Sequence, residues 1–382
     1  MKQNANDSNR PARFIVSGGG TGGHIFPAIS IANALKEALP DADILFVGAE
    51  NRMEMERVPK AGYRIVGLPI SGFDRKHLLK NVVTLFRAAQ STLKARRIVR
   101  EFRPDVAIGV GGYASGPLLK AAASMGVPTL LQEQNSFAGV TNRLLSGKAD
   151  RICTAYSGME RFFPADKILL TGNPVRQDLL RPVDRAEALA HFGLEEGRPV
   201  LLSVGGSLGA GTLNKSLLQA VDALEASGLQ VIWQTGRYYY KGIIEALNGR
   251  TLKRVHVMEF VDRMDLAYAV ADLVISRAGA GTISELCLLG KAVILVPSPN
   301  VAEDHQTKNA LALSDVGAAL MIPDADAEEK LVPTALALLG EPDLQKEGQS
   351  EKRSALSKNI LKLAQHDSAA RIAAEVIKLS KS

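Results

Sequence analysis

The sequence predicts an α/β protein built from two Rossmann-like, doubly wound parallel-sheet domains that face a cleft. Short apolar runs alternate with helical patterns through the first half, which is typical of a parallel sheet with helices on both faces. The alternation breaks at a proline-containing stretch near Thr171–Pro174 and restarts at Val200. Each half opens with an apolar strand, a glycine-rich turn and a helix, so we expect the two domains to resemble each other.

Composition limits the classes of protein that the chain can represent. Its 382 residues, 46% hydrophobic and 23% charged, suit a two-domain globular protein. Two cysteines, Cys153 and Cys287, give no disulfide framework and fit a reducing cytoplasm. The polar start predicts no signal peptide, and no apolar run predicts a membrane span. The net charge of +6 suits an anionic partner, although we expect no nucleic acid.

The strands are expected where short apolar, β-branched runs end at turn residues. They are predicted at Phe14–Ser17, Ile44–Val47, Val106–Val110, Thr129–Leu131, Arg151–Thr154, Val200–Val204, Gln230–Trp233, Val255–Met258, Leu273–Ser276 and Ala292–Val296. Helices are predicted behind the first glycine turn, from about Thr212 to Ala226, and over Ser368–Leu379, where an apolar face must dock on another element.

The stretch Arg13–Pro27, RFIVSGGGTGGHIFP, is the most informative in the chain. Glycines let the backbone approach a ligand closely, and the helix behind them offers free N–H groups to an anion, most simply a phosphate. His24 adds a titratable group at that site. The G-x-G-x-x-G spacing of Gly18, Gly20 and Gly23, with Glu50 after the second strand, also fits a dinucleotide site or a purely structural turn.

Three further strand–turn–helix units follow the same logic. They are Gly111–Pro117 after one buried strand, Gly205–Gly209 with the hydroxyl of Ser207, and Ser276–Glu285. A cleft with anion sites on both walls suits two phosphorylated substrates.

The string GGGTGGHIFP resembles the first glycine loop of the MurG family. These enzymes are the UDP-N-acetylglucosamine transferases that add the second sugar to the lipid-linked peptidoglycan precursor. Further matches occur in the family's order and cover most of both domains: Gly111–Pro117, Gln132–Asn135, Asn173–Arg176, Phe260–Asp262, Ser276–Glu285 and Asp304–Ala310. The resemblance implies the GT-B architecture, with an acceptor and membrane domain at 1–174, a UDP-N-acetylglucosamine domain at 175–365, and a C-terminal helix in 366–382 that packs back on the first domain.

The resemblance also implies a role for individual residues. The acceptor diphosphate would be held by Gly19, Gly20, Gly111, Gly112 and Tyr113. The donor would be held by Thr21, Gly22, Gly23, Asn135, Arg176, Ser207, Val261, Ala280, Gly281, Thr282, Ile283, Ser284, Glu285 and Gln306. The main chain at Val261 would read uracil, Glu285 the ribose hydroxyls, and Gln306 the sugar hydroxyls.

Several of these positions keep a second interpretation or depart from the family. Glu285, expected in the first helical turn, also suits a helix-dipole carboxylate. Gln306 also suits a solvated helix start. Gln132 replaces a common histidine of the family, so no role is carried onto it, and the role of His305 stays open. Gly281 and Ile283 differ from the usual SGALTVSE string, a change that backbone contacts tolerate.

The implied reaction is a single displacement with inversion, because a UDP-linked sugar is α and the product linkage is β. His24 is the candidate base for the acceptor 4-hydroxyl, or alternatively a diphosphate ligand. We expect no cofactor and no metal. Two D-x-D pairs, Asp41–Asp43 and Asp324–Asp326, look like surface turns distant in sequence from every glycine loop. Helix N-termini and Arg277 would stabilise the leaving diphosphate instead.

The segment Asp74–Arg103 is the candidate membrane contact, because it contains nine basic residues and only two acidic ones. At helical spacing its apolar stripe is wider than packing on a sheet requires. One edge, flanked by cations, suits an anionic bilayer surface. The predicted membrane residues are Leu79, Lys80, Val83, Phe86, Arg87 and Lys94. This predicts a peripheral protein on the cytoplasmic face of the inner membrane, and the alternative is a solvated basic face over an ordinary core helix.

Three other functions remain open at this point. A UDP-N-acetylglucosamine 2-epimerase shares the fold, but the loop at Gly111–Pro117 and the membrane-facing segment argue against it. An NAD-dependent oxidoreductase rests on the first loop and Glu50 alone and leaves the second-domain motifs unexplained. A non-catalytic sugar-nucleotide-binding protein would share every binding motif and lack turnover.

Overall fold

The computed structural model describes residues 10–20, 22–70, 81–175, 179, 181–206, 208–301, 304–340 and 347–381, with only the backbone at 81–88 and 347–350. The chain divides into two compact units. One comprises Met1–Val175 with His366–Ser382, and the other Arg176–Gln365. Across the described residues, no helix combines the length and the apolar character that crossing a bilayer requires.

The first unit contains a sheet of seven parallel strands. They are β1 (Arg13–Ser17), β2 (Asp43–Ala49), β3 (Arg64–Leu68), β4 (Val106–Gly109), β5 (Thr129–Glu133), β6 (Arg151–Thr154) and β7 (Ile168–Leu170). Their order is β3-β2-β1-β4-β5-β6-β7, so the strand order reverses between β1 and β4. All neighbouring pairs are parallel.

Helices cover both faces of this sheet. They are α1 (Gly22–Ala38), α2 (Glu54–Lys60), α3 (Asn81–Phe102), α4 (Ser115–Ser124), α5 (Val140–Leu145) and, from the end of the chain, α15 (Ser368–Leu379). Successive β1 side chains point to opposite faces, so Phe14 packs in one core with Ile372 of α15, and Ile15 packs in the other with Leu118 of α4. The C-terminal helix therefore packs against α1 in the first unit.

The second unit repeats the plan with six parallel strands. They are β8 (Val200–Val204), β9 (Gln230–Gln234), β10 (Val255–Met258), β11 (Leu273–Ser276), β12 (Val293–Leu295) and β13 (Leu320–Met321). Their order is β10-β9-β8-β11-β12-β13, so the reversal lies between β8 and β11. Its helices are α6 (Arg185–Phe192), α7 (Gly211–Gln219), α8 (Val221–Ala226), α9 (Tyr240–Leu247), α10 (Met264–Val270), α11 (Ala280–Leu289), α12 (His305–Ser314), α13 (Ala327–Leu339) and α14 (Glu347–Leu361).

The prediction of parallel, doubly wound sheets is confirmed, with local differences. Strands β3, β7 and β13 were not predicted. The expected helix from Thr212 to Ala226 is two helices that meet at Ala220. Helix α11 begins at Ala280, so Glu285 is its sixth residue and lies in the second turn, not the first. The helix dipole acts mainly within the first turn, which weakens the dipole interpretation of Glu285.

Candidate active site

Each unit places its glycine loops where the strand order reverses. The loops after β1 and β4 leave the carboxyl ends of adjacent strands in the first unit, and the loops after β8 and β11 do so in the second. Open parallel sheets bind ligands at this position, because the two connections diverge to opposite faces and leave a crevice. Each unit therefore has, at this position, a crevice of the kind that binds ligands in such sheets, and glycine-rich backbone lines it.

The two loops of the first unit are in direct contact. Gly112 has a φ of +90°, and a Cβ there would overlap the carbonyl oxygen of Gly19. Gly111 has a φ of +94°, and a Cβ would lie 2.7 Å from Cδ2 of His24. The imidazole in the first turn of α1 therefore rests on the second loop. Of the predicted acceptor residues, Gly19, Gly111 and Gly112 lie together with His24, and Tyr113 beside them is half exposed.

Glu133 organises the loop that follows β5. Its buried carboxyl group accepts hydrogen bonds from the backbone N–H of Asn135 at 3.1 Å and of Gly139 at 3.0 Å. It also accepts from Nδ2 of Asn142 at 2.9 Å and of Asn135 at 3.3 Å. Burial raises the pKa of Glu133 above its usual range, and the hydrogen bonds from Asn135, Asn142 and Gly139 oppose that rise. The predicted sugar contact Asn135 is thus held by its neighbour in the motif.

Gln132 has a structural contact that the sequence left unassigned. Its Nε2 donates to Oδ1 of Asn173 at 3.0 Å, and Nδ2 of Asn173 donates to the carbonyl oxygen of Gln134 at 3.0 Å. Gln134 in turn donates to the carbonyl oxygen of Val110 at 2.7 Å. This buried network fixes the loop after β5 to the segment that ends the first unit. The signal in the sequence was a run of four amide and acid side chains, 132–135, directly after the predicted strand Thr129–Leu131.

In the second unit, the loops after β8 and β9 cross at two glycines. Gly209 has a φ of +90° and Gly236 a φ of +80°, and a Cβ on either would overlap backbone of the other loop. Gln234 joins this crossing to the segment expected to read the base. Its Nε2 donates to the carbonyl oxygen of Gly206 at 3.0 Å, and its Oε1 accepts from the N–H of Val261 at 3.0 Å.

The loop after β11 leads into α11 and carries the donor residues implied by the resemblance. Gly279 is the residue before the helix, and the side chain of Ile283 is buried, so only the backbone of Ile283 can meet a ligand. The Oγ of Ser284 donates back to the carbonyl oxygen of Ala280 at 3.0 Å. Glu285 accepts a hydrogen bond of 3.2 Å from the hydroxyl of the buried Tyr268.

Gln306 faces the loop after β12. Its Oε1 accepts from the N–H of Ser298 at 2.9 Å, which directs the Nε2 donors of the same amide away from that bond. The buried Asn309, one turn later on α12, donates to the carbonyl oxygen of Ala278 at 3.3 Å. Helix α12 therefore supports the loop after β11, and the loop after β12 orients the Gln306 amide.

Arg277 is engaged inside the second unit, and its expected role at the leaving diphosphate stays a prediction. Its Nη1 lies 2.5 Å from Oδ1 of Asp324 and also donates to the carbonyl oxygens of Val296 and Pro297. Asp324 also accepts from the hydroxyl of Thr212 at 3.0 Å. Asp324, distant in sequence from the glycine loops, thus contacts residues that flank two of them.

Each D-x-D pair also contains an aspartate that forms an ion pair with a basic side chain. Asp326 lies 2.9 Å from Lys330, and Asp43 lies 2.6 Å from Arg64. Within the described ranges, no three His, Cys, Asp or Glu side chains converge in an arrangement that could hold a metal ion.

Some predicted site residues lie outside the described residues. They are Thr21, Leu79, Lys80, Arg176 and Ser207, and the side chains of Val83, Phe86 and Arg87 are also not described. Lys94 is described, and its Nζ lies 3.0 Å from Oε1 of Glu50 on the first unit. The preceding Leu93 is exposed, whereas Ala95 and Val99 of the same helix are buried in the core.

Comparison with known proteins identifies the family. Residues 14–154 match the glycosyltransferase family 28 N-terminal domain, and residues 200–367 match the glycosyltransferase family 28 C-terminal domain. A relative from Parabacteroides distasonis is 61% identical over 97% of this chain and 99% of its own length. It is named UDP-N-acetylglucosamine--N-acetylmuramyl-(pentapeptide) pyrophosphoryl-undecaprenol N-acetylglucosamine transferase. The chain belongs to the MurG family of glycosyltransferases.

Other comparisons agree with this membership. A relative of the same name from Cytophaga hutchinsonii is 54% identical over 97% of both chains. The crystal structure of Acinetobacter baumannii MurG matches with a TM-score of 0.74 and 29% identity, covering 96% of this chain and 100% of that one. The GT-B architecture expected from the resemblance is therefore confirmed.

The fold is shared beyond the MurG family. A UDP-N-acetylglucosamine 2-epimerase from Neisseria meningitidis, bound to UDP-N-acetylglucosamine, matches with a TM-score of 0.66, 13% identity, and coverage of 96% of this chain and 100% of that one. At that identity the likeness concerns the fold alone. Sequence identity over the full length, and not the fold, separates this MurG family member from the epimerases.

Proposed function

We propose that this enzyme transfers N-acetylglucosamine from UDP to the 4-hydroxyl of undecaprenyl-diphospho-N-acetylmuramoyl-pentapeptide. The observation that carries the proposal is the 61% identity over 99% of a relative named for this transfer. The linkage changes from α in the donor to β in the product, so one displacement with inversion suffices and no covalent intermediate is required.

The second unit would bind the donor. The N-terminus of α11 offers backbone N–H groups to the diphosphate, because the first turn of a helix lacks intrahelical acceptors. Glu285 would accept hydrogen bonds from the ribose, Gln306 would donate to the sugar, and the main chain at Val261 would meet uracil. Charge on the leaving UDP would be stabilised by these backbone N–H groups and by Arg277, which lies in the loop between β11 and α11.

The first unit would bind the acceptor and hold the base. The contact of Gly112 with Gly19 joins the two loops proposed for the acceptor diphosphate. His24 lies against Gly111 at the start of α1, and an imidazole titrates in the range needed to take the proton of the attacking hydroxyl. We assign it that role, with diphosphate binding as the alternative that a kinetic test separates.

The acceptor carries an undecaprenyl chain, so the enzyme must work at a membrane. We propose that the first unit lies on the anionic cytoplasmic face of the inner membrane through the basic, partly apolar segment Asp74–Arg103. Unit one would then serve the acceptor and the membrane, and unit two the nucleotide.

The decisive experiment follows radiolabel from UDP-N-acetylglucosamine labelled in the sugar. Transfer into a lipid-extractable product that requires the lipid-linked acceptor supports the proposal. Label that stays water-soluble while UDP is released without acceptor, as an epimerase would produce, contradicts it. Tight binding of the donor with no turnover under any acceptor condition would point to a binding protein instead.

A further inference from the structure

Glu54, a residue without a role in the reaction described above, lies directly beneath the first glycine loop. It is the first residue of α2, and its side chain is fully buried. Oε2 accepts a hydrogen bond of 2.9 Å from the N–H of Gly20, and Oε1 accepts one of 3.0 Å from the N–H of Ala49. One carboxyl group therefore ties the loop after β1 to the end of β2.

The surrounding glycines leave space for this carboxyl group. A Cβ on Gly19 would overlap Oε1 of Glu54, and a Cβ on Gly48 would lie 2.5 Å from its Cγ. Gly20 itself has a φ of +86°, in the left-handed region that favours glycine. The Glu54 side chain thus occupies space that side chains at Gly19 and Gly48 would fill, and it binds the N–H of Gly20.

The two N–H donors are the polar partners of Glu54 among the described residues. No lysine, arginine or histidine of that part of the chain forms an ion pair with it. A buried polar group is costly unless it is hydrogen-bonded, and bonds from N–H groups to a carboxyl group are among the stronger ones. The bond to Gly20 is therefore expected to persist while the loop meets its ligand.

We propose that Glu54 is a positioning residue for the acceptor site. By binding the Gly20 N–H on the inner side of the loop, it sets the backbone of Gly19, against which Gly112 of the second loop packs. Because the Gly20 N–H donates to Glu54, it does not bind the ligand. The acceptor diphosphate is held by the first-turn N–H groups of α1 and by the loop after β4. Gly20 contributes backbone shape rather than a hydrogen bond to the ligand.

This inference rests on the proposed acceptor function. It predicts that substitution of Glu54 changes the KM of the acceptor more than the KM of the donor. Loss of one of the two hydrogen bonds should disturb the acceptor loop, whereas the loops expected to hold the UDP part of the donor belong to the other unit. Glu54→Gln keeps the volume of the side chain, but its amide group must face one of the two N–H donors. Glu54→Ala removes both acceptors. The KM for the acceptor should therefore rise in the order wild type, Gln variant, Ala variant.

The experiment measures the KM of a short-chain lipid-linked acceptor, the KM of UDP-N-acetylglucosamine, UDP affinity and Tm for each variant. For Glu54→Gln we expect the acceptor KM to rise about tenfold, as for loss of one buried hydrogen bond, with a smaller rise in donor KM and UDP affinity within about twofold. Glu56→Gln on the same helix is the matched control, because Glu56 is exposed and paired with Lys60. An acceptor KM within twofold of wild type, or equal rises for both substrates, overturns the proposal.

A second measurement needs neither substrate nor variant. Amide hydrogen exchange in the wild-type protein should show the Gly20 N–H protected like the buried strand β1, because Glu54 holds it away from solvent. Fast exchange at Gly20 overturns the inference even if the variants fail to fold. Failure of the wild type to glycosylate the acceptor would instead remove the proposed function, and the exchange result would still stand.

Discussion

The hydroxyl of Tyr268 donates a hydrogen bond of 3.2 Å to Oε2 of Glu285. Tyr268 is buried on α10, and Glu285 lies in the second turn of α11, so two helices of the second unit fix the position of one carboxyl group. A tyrosine hydroxyl at this place aligns the carboxyl oxygens before any ligand arrives, which lowers the cost of ordering them on binding.

Removing this hydroxyl should weaken donor binding without affecting the acceptor. For Tyr268→Phe we expect the KM for UDP-N-acetylglucosamine to rise about three- to tenfold, the equivalent of about 0.5–1.5 kcal/mol. Glu285→Ala should raise it further, by about 1–3 kcal/mol if the ribose loses its partner. Steady-state kinetics with both substrates measure this. Tyr238→Phe, on an exposed tyrosine of the same unit, is the control, and a normal donor KM in Tyr268→Phe would contradict the prediction.

His24 should act on the chemical step. General-base catalysis contributes on the order of 10²–10⁴-fold, so His24→Ala should lower kcat by that range and leave UDP affinity nearly intact. The pH profile of kcat should lose its acidic limb, since no group at that position would then need to be deprotonated. A near-normal kcat with a raised acceptor KM would return His24 to diphosphate binding.

The sequence predicted the strands and loops better than it predicted the contacts between them. Every predicted strand is present, because most of them are short apolar runs buried on both faces of their sheet, as β4 and β8 are. Strand β3 was missed because its Arg64 and Gly67 interrupt the apolar pattern, and β7 because three residues give no periodicity. The helix predicted to run through Ala220 is divided there, at a residue that carries no helix-breaking signal.

Side-chain networks escaped prediction for a different reason. Glu54, Gln132, Gln234 and Tyr268 act through partners that are 17 to 41 residues away in the chain. Such pairs arise only when folding brings separate strand–turn–helix units side by side. The pairing of Arg277 with Asp324 was missed for the same reason, because Asp324 is 47 residues later. Motif spacing describes one strand–turn–helix unit and carries no information about its neighbours.

Glu133 should make the stability of the first unit depend on pH. Burial raises its pKa above the ordinary value of 4.5, so the folded protein binds this proton more tightly than the unfolded chain does. The unfolding free energy contributed by this group therefore falls as pH rises from the ordinary value to the raised one, and is constant outside that window.

Comparing the wild type with Glu133→Gln isolates this contribution. The Gln variant cannot titrate at this position, so its Tm relative to the wild type should rise as pH increases through the same window. Thermal melts at matched ionic strength from pH 4 upwards measure the difference, and about 1.4 kcal/mol corresponds to each pKa unit. Glu101→Gln, an exposed residue paired with Arg97 in the same unit, is the control. A Tm difference that is flat with pH would contradict the raised pKa.

Binding to anionic vesicles should depend on the basic edge of the segment Asp74–Arg103. Each basic residue near an anionic surface contributes about 1 kcal/mol, so Lys80→Glu with Arg87→Glu should lower vesicle affinity by about 30-fold or more. Lys94→Glu is measured separately and should have a smaller effect, because Glu50 already partners the Lys94 ammonium. Lys241→Glu with Lys330→Glu makes the same change in net charge on the second unit and should leave binding nearly intact.

High salt should release the wild type, and turnover of a short-chain, water-soluble acceptor should survive the Lys80 and Arg87 changes. Equal loss from both double variants would assign the attraction to net charge, and no loss from either would move the membrane contact to another surface.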